Sequence, residues 1–337
     1  MTHKILVTLG PSSLNQAFVE ECSKLGVYIF RINLSHTAIE DVAPTIEKIR
    51  QWTDTPICLD SEGAQLRNQK MIGGSIPFLE GEMVKIHHQS VVGDRSNISF
   101  SPEGLSHQFV EGDLINVDFD HASLRIVQTN EECCIATVVN GGEVGSNKAA
   151  NLGRDLDFNP LTEKDGEAIK IGLDMDIRHF ALSFANRAQD VKLIRHLCGA
   201  NANIICKIES PSGLLNLEEI IQEADEILID RGDLSRTVPI EKIPFLQRRI
   251  ISTARSLSTP VFVATNLLES MVRRKSPTRA EVNDVVSTLL MGADGLVLAA
   301  ETAIGDYPID CVLMVRKLIE ESKKWTSNTS LLEILSN

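Results

Sequence analysis

NIICKIE, Asn203 to Glu209, is a short run of β-branched and apolar residues that reads as a strand buried on both faces. It ends in two charges, Lys207 and Glu209, both in phase with Ile205, so the three side chains point the same way. Before it stands HFALSF (His179 to Phe184) and after it EILIDRGD (Glu226 to Asp233), each set off by a helix-like stretch. Further out the same alternation repeats in KILVTLG (Lys4 to Gly10), YIFRINLS (Tyr28 to Ser35), PICLD (Pro56 to Asp60), PVFVATN (Pro260 to Asn266) and GLVLAAE (Gly295 to Glu301). Eight such runs separated by amphipathic helices predict an α/β fold, a closed parallel (β/α)8 TIM barrel.

The intervening helices show readable faces. Leu14, Phe18, Val19 and Cys22 recur at helical spacing, as do Ile243, Leu246, Ile250 and Ile251, and then Val285, Leu289 and Leu290. A last helix is expected from Pro308 to about Lys323, followed by a short polar tail. From Asn68 to Gly153 the helical period disappears, and turn signals (IGG, EGE, GDR, EGD, NGG) separate the strand-like GEMVKIHH, DLINVDF, SLRIVQT and CCIATVV. The expected organisation is therefore a barrel from 1–67 and 154–337 with a small all-β domain, 68–153, inserted after the third strand as a mobile lid.

A formal net charge of -13 disfavours nucleic acid or an anionic membrane surface as partner. The seven cysteines lack metal spacing and lie mostly in apolar runs, which fits reduced thiols in a cytoplasmic protein. Met1 leads directly into KILVTLG without a signal-peptide pattern, so a soluble, unsecreted protein is expected. His87, His88, His107 and His121 are expected on the surface of the insert, and Arg273 to Lys275 in a solvated loop.

Active sites of such barrels lie at the C-terminal ends of the strands, where polar residues collect here. They include Arg31, Asn33, Ser35, His36, Asp60, Glu62, Arg67, Ser183, Lys207, Glu209, Asp230, Arg231, Asp233, Thr265, Asn266, Glu301 and Thr302. A structural ring of ion pairs explains any two of these charges, but a dozen at one end favour a site. Glu209 and Asp233 are hard oxygen ligands suited to Mg²⁺. Arg31, Arg67 and Lys207 are suited to a phosphate and to charge developing as it is transferred.

The strings TLGPSS, FRINLSH, KIESPSG, IDRGDLS, ATNLLESM, SPTRAEVNDV and GADGLVLAAETAIGDYP occur in the order and spacing of the pyruvate kinase family, which the chain resembles over nearly its whole length. VNGGEVGSNKAANL and LTEKD are similar to the end of that family's B domain and its return to the barrel. The resemblance implies phosphoryl transfer between phosphoenolpyruvate and ADP, giving pyruvate and ATP. It implies Mg²⁺ or Mn²⁺ on Glu209 and Asp233, and Lys207 stabilising the enolate and the transferring phosphoryl group. It places Thr265 near the pyruvate methyl carbon, Arg31 and Ser183 at the phosphate, and the Gly232 and Asp233 N–H groups at the carboxylate. Arg67, His36 and Lys148 face the nucleotide, and Asn33, Ser35, Asp60 and Ser61 match a K⁺ shell. The family's regulatory C domain has no counterpart in the sequence, so its sugar-phosphate site is not expected, and homo-oligomers would form through the barrel.

Departures from the family pattern fall in the site. DTKGPEIR reads DSEGAQLR, which introduces Glu62, Ala64 and Gln65, the last at the position that signals K⁺ dependence. Ala299 stands for a Ser of the proton relay, Asn266 for a Gln, Asp230 for a small residue and Ser235 for a Gly. These changes keep two alternatives in view: a metal-dependent lyase or enolate-forming enzyme acting on a 2-oxo acid without nucleotide, and a catalytically idle binding protein.

Overall fold

The computed structural model describes residues 3–118, 122–154, 156–325 and 328–336. The chain divides into two compact units, Met1–Gly63 with Leu161–Asn337, and Ala64–Pro160. In the first, eight parallel strands close into a barrel. They are β1 Lys4–Leu9, β2 Ile29–Asn33, β3 Ile57–Asp60, β4 His179–Leu182, β5 Asn203–Ile208, β6 Glu226–Asp230, β7 Val261–Ala264 and β8 Gly295–Leu298, with β8 pairing back to β1.

Period-two alternation builds this barrel in layers. Ile204, Cys206 and Ile208 of β5 face outward into the large core shared with the helices. Ile205 faces inward, into a smaller cluster with Leu6, Ile29, Cys58, Ala181, Leu228, Phe262, Ala264 and Val297. Two residues further along the strands, the same inward direction carries Thr8, Arg31, Asp60, Ser183, Lys207 and Asp230, all nearly buried. An apolar floor therefore lies under a polar storey.

The helices follow their sequence periods, with two shifts. Gln16–Lys24, capped by the Asn15 side chain, buries Phe18, Val19 and Cys22. Arg279–Met291 buries Val285, Thr288 and Leu289, and Leu290, expected on the apolar face, is 70 % exposed because it stands about 100° round the helix from Leu289. In Ile243–Ser256 the core position falls to Gln247, while Leu246 is half-buried. The helix Pro308–Lys324 is followed by a further one, Leu331–Ser336, where a polar tail was expected. Among the described residues no helix is long and apolar enough to cross a membrane.

The second unit holds a seven-stranded sheet, a two-stranded pair (Ser75–Phe78 with Gly142–Gly145) and its own core, which includes Phe78, Ile86, Phe100, Phe109 and Leu124. The four expected strand runs appear as Met83–His87, Leu114–Val117, Ala122–Thr129 and Cys133–Asn140. His88 corrects the expectation of a surface residue: it is 6 % exposed, stacks on His107, and its ring nitrogens meet Ser106 Oγ at 2.8 Å and the Asn130 carbonyl at 3.1 Å. Those partners offset the desolvation of the ring. His121 lies outside the described residues.

All seven cysteines are free and buried. Burial pushes the thiols of Cys22, Cys198 and Cys311 up to about 12. Thiolate, the reactive form, is therefore scarce. An Ellman titration of the native protein is expected to find no fast-reacting thiol, and all seven after unfolding.

Candidate active site

Lys207 points up from the floor of the barrel mouth and its side chain is 7 % exposed. Its Nζ lies 2.9 Å from Glu209 Oε1, 3.4 Å from Asp60 Oδ1 and 3.9 Å from Asp230 Oδ2, and donates to Ser183 Oγ at 2.9 Å. Burial works against the ammonium, but the three carboxylates more than reverse this and hold Lys207 charged.

Glu209 is 1 % exposed and tells the opposite story. Burial pushes its carboxyl up to about 8, Lys207 opposes that shift, and Asp230 and Asp233 reinforce it. Oε2 accepts from the Phe184 N–H at 2.7 Å. Oε1 lies 2.9 Å from the Lys207 ammonium and has no other partner among the described residues. A buried carboxylate oxygen with lone pairs to spare is the signature expected of a ligand to something else. Glu209, Asp230 and Asp233 each offer one oxygen, and the three atoms lie within 4.8 Å of one another. Hard, anionic and clustered, they fit a divalent ion of the Mg²⁺ or Mn²⁺ kind.

Asp233 and Gly232 reach this place because β6 stops at Asp230 and the chain turns into the helix Arg231–Thr237. The Asp230 side chain caps that turn. Its Oδ1 accepts from the Gly232 N–H at 3.1 Å, the Asp233 N–H at 3.5 Å and the Thr265 hydroxyl at 2.6 Å. Burial would raise the Asp230 carboxyl, but Lys207, the Thr265 hydroxyl and Arg31 bring it below the usual range. Asp233 also pairs with Arg236 at 3.2 Å.

Thr265 and Asn266, at the mouth end of β7, carry φ values of 71° and 57°. A β-branched residue there is strained and must be held by its surroundings. The clamp is Arg231, whose Nη2 donates to the Thr265 carbonyl at 2.7 Å and whose Nη1 pairs with Asp284 at 2.7 Å. A Cβ on Gly232 would sit 2.7 Å from Thr265 Cγ2. Gly232→Ala is expected to cost about 1–3 kcal/mol by forcing Thr265 and the turn apart, and urea unfolding with an unchanged m-value checks it.

Arg31 is 4 % exposed, with Nη1 on Asp60 Oδ2 at 2.8 Å and Nε on Thr8 Oγ1 at 2.9 Å. Asn33 and Asp60 are register partners on β2 and β3. Asn33 Oδ1 accepts from the Ser35 N–H at 3.0 Å, and Ser61 Oγ accepts from the Ser183 N–H at 3.0 Å. Ser35 and His36 are exposed in the short 3-10 turn Leu34–His36. Arg67 and Lys148 belong to the second unit, where Arg67 donates to Gln65 Oε1 and the Asn147 carbonyl and Lys148 Nζ pairs with Asp118 at 3.1 Å.

Residues 1–312 match the family model described as pyruvate kinase, barrel domain. The chain belongs to the pyruvate kinase family. It is similar to a pyruvate kinase of Agrobacterium vitis, 34 % identical over 341 residues, covering 98 % of this chain and 70 % of that protein. A pyruvate kinase of Mycobacterium tuberculosis is 33 % identical over 325 residues, covering 94 % and 69 %. Among solved structures, a pyruvate kinase from Cryptosporidium parvum superposes with a TM-score of 0.84 at 29 % identity, covering 97 % of this chain and 70 % of that one.

Two departures from the pyruvate kinase pattern have local partners. Glu62 pairs with Lys164 Nζ at 2.9 Å, so its reversed charge is answered within the barrel unit. Ala299 donates its N–H to Glu301 Oε2 at 2.9 Å and opens the short helix Ala300–Ala303, but it offers no hydroxyl. Asp230, read in the sequence as a polar strand-end residue and a departure but not as a metal ligand, is a member of the carboxylate cluster. Its phase with Leu228 was the signal that could have found it.

Proposed function

We propose that this chain is a phosphotransferase that moves the phosphoryl group of phosphoenolpyruvate to ADP, giving pyruvate and ATP. One observation carries the reading: a buried, charged Lys207 stands 2.9 Å from Glu209 Oε1, inside a carboxylate cluster at the barrel mouth. In-line phosphoryl transfer needs little bond-making by the protein and much positioning and charge neutralisation.

A divalent ion held by Glu209 and Asp233 would neutralise the substrate oxygens as charge shifts between them. Lys207 holds a fixed positive charge against the phosphoryl group and the enolate oxygen it leaves behind. Ser183 and Arg31 take phosphate oxygens, and Asp60 keeps Arg31 aimed by its 2.8 Å ion pair. Thr265, fixed by the Arg231 clamp, stands near the carbon that receives a proton when the enolate becomes pyruvate. With Ala299 in place of a hydroxyl, a proton from solvent would reach that carbon by way of the Thr265 hydroxyl, which would give up its own proton and take the solvent's in turn. The Gly232 N–H and, more distantly, the Asp233 N–H are taken by Asp230 Oδ1 before any substrate carboxylate arrives. His36 would face the nucleotide, and Asn33, Ser35, Asp60 and Ser61 would form the K⁺ shell.

The deciding experiment is pyruvate release from phosphoenolpyruvate with Mg²⁺, with and without ADP. The reading expects release only with ADP and one ATP per pyruvate. Cleavage of a 2-oxo acid in the absence of nucleotide would replace it with a lyase.

A further inference from the structure

Asp230 presents its two oxygens to different surroundings. Oδ1 is anchored by the Thr265 hydroxyl at 2.6 Å and the Gly232 N–H at 3.1 Å, which fixes the carboxylate plane. Oδ2 is turned toward the cluster, 3.9 Å from Lys207 Nζ. Anchoring one oxygen while the other faces a common centre is how a protein orients a metal ligand. Glu209 Oε1, in a side chain with no exposed surface, is the second oxygen facing that centre, with Lys207 Nζ at 2.9 Å as its one partner among the described residues.

We propose that Asp230 is a third protein carboxylate for the divalent ion, so that this site binds its metal firmly without substrate and attracts an anionic substrate less strongly. The inference rests on the metal site of the function proposed above. Charge makes the argument. Arg31 balances Asp60 and Arg236 pairs with Asp233, so the ion and Lys207 bring three positive charges against Glu209 and Asp230. The filled site then keeps one net positive charge, where the site without Asp230 would keep two to draw in an acid. Negative charge from Asp230 strengthens hold on the cation and repels the carboxylate of the incoming acid from nearby. The two effects have opposite signs, and that separates a ligand from a residue that merely supports the fold.

The test compares the wild type with Asp230→Asn, which keeps an oxygen for Thr265 and Gly232 but removes the charge. Mn²⁺ binding without substrate is followed by electron paramagnetic resonance, and oxalate binding to Mn²⁺-saturated protein by calorimetry. The variant is expected to bind Mn²⁺ at least about tenfold more weakly and oxalate at least about fivefold more tightly. Equal Mn²⁺ affinity in the two proteins overturns this inference and leaves the proposed function standing. Loss of affinity for both ligands makes Asp230 a structural residue and also overturns it. A wild type that takes up no Mn²⁺ removes the metal site, and with it both the inference and the function it rests on.

Discussion

Replacing Lys207 with alanine lowers kcat for pyruvate formation by about 10²–10³-fold, the scale set by removing one pre-aimed charge-stabilising group. The expectation follows from where the ammonium sits. It is buried, held charged by three carboxylates, and donates to Ser183 Oγ at 2.9 Å, so no water can take over its position at low cost. The variant is expected to fold. Asp60 keeps Arg31, Asp230 keeps the Thr265 hydroxyl, and Glu209, already pushed up to about 8, accepts a proton instead of standing as an unpaired charge. Steady-state kinetics with circular dichroism as the folding control measures this. A kcat within about threefold of wild type removes Lys207 from the chemistry.

Replacing Glu209 with glutamine weakens Mg²⁺ binding by at least about a hundredfold, since it removes a directly ligating charge where even supporting residues are worth 10–100-fold. In the wild type the same carboxyl makes the affinity pH-dependent. Its ordinary value of 4.5 is raised to about 8, so below that pH the ion must displace a proton and binds more weakly, and above it the affinity levels off. The stability of the metal-free protein has the matching sign. A raised folded-state value means the native state holds more protons than the unfolded one between 4.5 and about 8, so stability declines as pH rises through that window, and Mg²⁺ removes the decline. Calorimetry in buffers of different ionisation enthalpy, which reads the released proton directly, checks the first half. An affinity flat from pH 6 to 9 contradicts it.

Period-two alternation made much of this site legible before any coordinates. Lys207 and Glu209 announced themselves by sharing the phase of Ile205, and the eight strand runs fall on the eight barrel strands. The same rule applied to Leu228 and Asp230, but EILIDRGD reads as one run, and nothing in its composition marks where the strand stops and the helix starts. Long-range partners were out of reach. Lys164, which answers Glu62, lies about a hundred residues away, and the Arg231 clamp on Thr265 depends on a backbone conformation no side-chain pattern encodes. In the second unit the turn signals marked an all-β segment, yet pairing escaped them. Met83–His87 runs parallel to Asn97–Ser101, and alternation reports a face, never a neighbour. His88 was misplaced for a related reason: a buried imidazole needs Ser106 and Asn130 beside it, and those are joined only by the fold.

A crystal of the protein soaked with Mn²⁺ and oxalate, which stands in for enolpyruvate, tests the whole account at its centre. The anomalous signal of the ion should lie about 2.1–2.3 Å from carboxylate oxygens of Glu209 and Asp233, with oxalate between the ion and Lys207 Nζ. An ion bound elsewhere, or oxalate out of reach of Lys207, contradicts it.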